Sequence, residues 1–65
     1  RGMPGIGDTI HTPDGHGVVL SVSTLRRTVR AAIRKNQHEP PNINTYAADN
    51  IKIIKKADIH QDTTL

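Results

Sequence analysis

Residues 24–35, TLRRTVRAAIRK, admit two structures, and the choice between them decides what this chain can fold into. As a helix, Leu25, Val29, Ala32 and Ile33 form one apolar stripe, with Arg26, Arg27, Arg30 and Arg34 around it. As a strand from Thr28, Val29, Ala31 and Ile33 point one way, and Arg30, Ala32 and Arg34 the other. The helix would have Ser23 or Thr24 as its cap and would suit a nucleic-acid groove. Against it, the window holds only about three turns, a length that is marginal without tertiary packing. Thr28, Val29 and Ile33 are also β-branched and fit a pleated surface better.

The flanking sequence favours the strand. Pro13-Asp14-Gly15 is turn chemistry: proline presets its φ, aspartate bonds the following backbone, and glycine accepts positive φ. Before it lies a short β-branched run, 8–12, with Ile10 as its inward residue. After it, 17–23 alternates, and Val18, Leu20 and Val22 are expected inward with Val19, Ser21 and Ser23 outward. A bare hairpin is rarely stable alone. A third strand over 28–34 completes a meander, and residues 23–27 become its turn. Pro40-Pro41 ends any helix or central strand in the loop 36–42. Short strands are then expected at 43–46 and at 51–54, with Ile51 and Ile53 inward and a tight or single helical turn between them. On pattern alone both readings stay open, with the strand ahead.

Sixty-five residues give one domain at most, and a chain of this size buries only about 60% of the surface its unfolded form exposes. There is no Phe, Trp or Cys and one Tyr, so the core falls to Ile, Val and Leu. Thiolate-bound metal and disulfides are excluded for this segment, and an intracellular compartment is compatible with that. No run approaches the ~18 apolar residues of a membrane helix, so no membrane partner is expected. The net charge of +3 permits a nucleic-acid partner without demanding one. Residues 1–3 are set aside as either a cloning junction or native sequence.

Residues 4–54 resemble the C-terminal end of the RicT (YaaT) family of bacterial stage-zero sporulation regulators, the PSP-one C-terminal family. The resemblance is carried by Gly7-Asp8-x-Ile10-x-Thr12-Pro13-Asp14-Gly15, by Gly17-Val18-Val19, and by Ser21-Val22-Ser23-Thr24-Leu25. Thr28-Val29-Arg30 and Thr45-Tyr46-x-x-Asp49-x-Ile51 follow in the same order. Asn50 stands where that pattern has an acidic residue, and the loop 35–42 is long. The resemblance implies a non-catalytic module. Its parent would join partner proteins in an iron–sulfur-containing complex that promotes messenger-RNA processing and so affects sporulation and biofilm formation. The implied partners are other subunits of that complex or the upstream domain of the same chain, in the cytoplasm. The cluster cysteines would lie upstream, so no cofactor is expected in this segment.

The expected fold is therefore all-β, a small SH3-like five-stranded curved barrel over 4–56 with a disordered tail at 57–65. No catalytic constellation is expected. His11, His16, His38 and His60 lack the paired spacing and supporting ligands of a zinc site and read as surface histidines. Asp14 beside His16 has no nucleophile, and Gly15-x-Gly17 lacks the third glycine of a dinucleotide loop. Tyr46, the only aromatic, is expected to cover one barrel end with its hydroxyl near water. What remains is charge. Arg26, Arg27, Arg30, Arg34, Lys35 and Lys52 are the candidate contacts for a partner, or, as the alternative, for RNA or DNA bound weakly through phosphate.

Overall fold

The computed structural model describes residues 2–57 and is all-β. Five strands, β1 Thr9–Thr12, β2 Gly15–Ser23, β3 Thr28–Ile33, β4 Asn42–Ala47 and β5 Lys52–Lys55, form one antiparallel sheet in the order β4-β3-β2-β1-β5. A 3-10 turn over Ala48–Asn50 links β4 to β5. The sheet curls as an SH3-like barrel does, but β4 and β5 do not pair, and both remain edges. The arginine-rich middle is strand, as its alternation predicts: Val29, Ala31 and Ile33 are buried and Arg30 is exposed.

The β1–β2 turn is held by Thr12, whose hydroxyl donates to the Gly15 carbonyl at 2.7 Å and accepts the Asp14 N–H at 3.0 Å. Gly15 takes φ 120°, which a glycine adopts without strain. These bonds explain why Thr12 can be buried in a core this small.

One inward assignment is corrected. Val18 and Leu20 point outward, 44% and 42% exposed, while Gly17 and Val19 are buried. The cause is a bulge. Val19 pairs with Ala31 and Ser21 with Arg30, which leaves Leu20 without a partner on β3. One extra residue reverses the alternation, so Val22, beyond the bulge, packs against the core as expected. On β5 a second register shift falls beyond Ile53, at Ile54, and leaves Ile51 and Ile53 facing the same way on this edge strand. Ile51 packs against the core, whereas Ile53 pairs with Ile10 yet stays 39% exposed.

The core is small: Ile10, Val19, Val29, Ala31, Ile33 and Tyr46, with Met3, Val22 and Ile51 against it. Met3, set aside in the sequence, thus packs within the fold. Apart from Ala57, the expected tail lies outside the described residues. Ala57 itself is tied down: its N–H donates to Asp8 Oδ1 at 2.7 Å.

Candidate interaction surface

The structure divides the six basic candidates among four places. Arg26 and Arg27 occupy the β2–β3 turn, where Ser23 Oγ accepts the Arg26 N–H at 3.2 Å. Arg27 has φ 57°, and its carbonyl accepts the Ala48 N–H at 2.9 Å, which ties this turn to the 3-10 turn. Arg30 sits mid-β3, opposite Ser21 on one side and Thr45 on the other. Arg34 and Lys35 follow the far end of β3. Lys52 lies on β5, opposite His11 and across β2 and β1 from the arginines.

Two of the six share a groove. Arg26 and Arg30 line a shallow depression of about 350 Å³ with Ser21, Val22, Ser23, Thr28 and Thr45. Guanidinium forks beside hydroxyls can hold carboxylate or phosphate oxygens. Between Arg26 and Lys35 the sequence has no acidic residue to neutralise them. Arg27 instead faces a second depression, lined among others by Met3, Asp49 and Ile51.

Beside the arginine groove the outer face is apolar. Val18, Ala32 and Ile43 are register neighbours across β2, β3 and β4, and Ile43 is 48% exposed. Leu20, turned out by the bulge, adds to them.

Of the residues with other chemistry, His16 lies two positions before Val18 on the same exposed face of β2, opposite His11. The rings of His11 and His16 meet edge to face across β1 and β2, with centroids 5.2 Å apart. Zinc needs about four ligands, and no group of three or more His, Cys, Asp or Glu gathers among the described residues. The Tyr46 hydroxyl is not left to water, as the sequence suggested. It donates to Asp14 Oδ2 at 2.7 Å and accepts from Asn44 Nδ2 at 3.4 Å, which fastens β4 to the β1–β2 turn. Asp14 is thus both a turn residue and a tie between distant strands.

Sequence reasoning passed over Asp8. This carboxylate is buried, accepts the Gly5 N–H at 2.8 Å and the Ala57 N–H at 2.7 Å, and pairs with Lys56 Nζ at 3.3 Å. The Gly5 amide, then the Ala57 amide, and then Lys56 hold its carboxyl below its ordinary value, against an opposing effect of burial. The one signal for it was the Gly7-Asp8 pair that opens the first strand.

Comparison with family models, with curated proteins and with solved structures gives no match to this chain. Among the described residues no helix is long and apolar enough to cross a membrane.

Proposed function

We propose that this chain is a non-catalytic protein-interaction module that docks an acidic partner surface against the outer face of its sheet. The observation that carries the reading is the juxtaposition on that face of exposed Val18, Leu20 and Ile43 with Arg26 and Arg30. An apolar centre beside arginines that have no ion pair among the described residues suits a protein surface rich in carboxylates. The RicT-like resemblance supplies the setting: a cytoplasmic regulatory complex, with iron–sulfur clusters on other parts, that promotes messenger-RNA processing. The partner would be another subunit or the upstream domain of the parent chain.

Tyr46 weighs against single-stranded RNA as the ligand. Its ring is buried and its hydroxyl engaged, so the only aromatic offers no stacking platform. The test is an NMR titration of the isotopically labelled chain with purified subunits of a RicT-like complex and, separately, with mixed-sequence RNA at low salt. The expected result is shifts at Val18, Leu20, Arg30 and Ile43 with a protein subunit, weakened by Arg30→Glu. Strong RNA binding that Arg30→Glu with Arg34→Glu abolishes, and no response to subunits, would overturn the proposal in favour of phosphate contact.

A further inference from the structure

The two edges of the sheet are built differently. β5 is four residues long, carries Lys52 and Lys55, is followed by Lys56, and meets β1 through a register shift. Lysines, brevity and bulges are the devices by which edge strands discourage pairing with another chain. β4 has none of them. It is six residues long, NINTYA, with no charge and no proline inside it. It pairs with β3 through six consecutive residues without a register shift. Residues 42–45 are exposed, and among the described residues β3 is the only strand beside it. Pro40 and Pro41 stop short of the strand and leave its ladder intact.

Resting on the protein-interaction reading above, we propose that β4 receives an extended acidic segment of the partner as a sixth strand. Strand addition of this kind takes its affinity from backbone hydrogen bonds and its selectivity from alternate side chains. Ile43 and Thr45 share the outer face of β4, and Thr45 is paired with Arg30. A strand added beyond β4 lies two strand spacings, about 10 Å, from the backbone of β3. An arginine and a glutamate reaching toward each other span that gap. The segment therefore needs an apolar residue opposite Ile43 and an acidic one opposite Thr45, two positions apart. On the other face, Asn42 and Asn44 ask for small polar residues.

Charge also decides against a second copy of this chain as the occupant. Pairing two β4 strands about a two-fold axis would bring both Arg26 and Arg30 sets to one seam, with no acidic residue from 24 to 35 in either copy. An acidic strand neutralises what a second copy would double.

The probe is a capped octapeptide, TVTETVTE, titrated into the labelled chain, with a twin carrying Lys in place of each Glu. The expected result is that the acidic peptide binds and slows hydrogen exchange of β4 amides about tenfold. The lysine twin should bind at least about tenfold more weakly. Thr45→Lys should abolish the effect while the circular-dichroism spectrum and melting point stay near those of the parent. Three results would overturn the inference. If a protein subunit shifts Val18 and Leu20 but neither it nor the peptide protects β4, the partner docks face-on, and only strand addition fails. If neither subunit nor peptide produces any response, the interaction reading fails with it. If β4 becomes protected as the chain alone is concentrated, the occupant is a second copy.

Discussion

Replacing Gly17 by alanine tests the packing of this sheet at its tightest point. Gly17 lies on β2 directly opposite Ile33, and its backbone is outside the left-handed region, so conformation alone would admit any residue. Space would not. A Cβ there would run into Ile33 Cδ1 and stand 2.8 Å from the Ala32 carbonyl oxygen. The isoleucine can turn its terminal methyl away, at about 0.5–1.5 kcal/mol if it leaves a rotamer well. The carbonyl belongs to the β3 backbone and moves only by disturbing the ladder. Overpacking of this kind costs about 1–3 kcal/mol, against a gain of about 0.4–1 kcal/mol from stiffening the unfolded chain. The net loss is about 1–2 kcal/mol, a large fraction of the ~3–5 kcal/mol that so small a core supplies. At roughly 4–8 °C per kcal/mol, Tm should fall by about 10 °C. The assay is thermal and urea unfolding followed by far-UV circular dichroism, with Ile33→Val as partner in a double-mutant cycle. Valine lacks the Cδ1 methyl, so Gly17→Ala should cost less in the Ile33→Val background. A Gly17→Ala melting point within about 2 °C of the parent would refute the argument. So would a cycle without coupling, as far as Ile33 is concerned.

Two further outcomes follow from the turns and the buried carboxylate. Because the Asp8 pKa is lowered on folding, its contribution to stability is complete above the unfolded value near 3.8 and disappears as pH falls through the folded one. Acid unfolding curves should therefore show a loss below about pH 4 that Asp8→Asn removes, along with part of the stability at neutral pH. Arg27 holds φ 57° without being glycine, so Arg27→Gly should raise stability by about 0.5–1 kcal/mol, seen as a higher Tm.

The strand character of 28–33 was legible only in part: Val29, Ala31 and Ile33 alternate with Arg30, but Ala31-Ala32-Ile33 suits a helix as well, and the hairpin before it tipped the choice. The hairpin itself was legible, since Pro13-Asp14-Gly15 admits little but a turn. The facing of β2 was not legible. Val18, Val19 and Leu20 are all apolar, so no side-chain count says which of them a bulge will turn outward. That matters for the site, because the bulge is what sets Leu20 beside the arginine groove. The basic candidates were readable as a list but not as a surface. Sequence spacing places Arg26 and Arg27 together, whereas one turn residue with positive φ sends them to different depressions. Asp8 was hidden for a different reason. Two of its partners, Lys56 and Ala57, lie about fifty positions away, a separation that only the pairing of β1 with β5 closes.

The Asp8 clasp also has a mechanical meaning. One carboxylate joins the amide of Gly5 to that of Ala57, so the segments entering and leaving the sheet are cross-linked at a single point. Tension applied across those two segments is taken up there first, and the ladder behind it stays unloaded until the clasp parts.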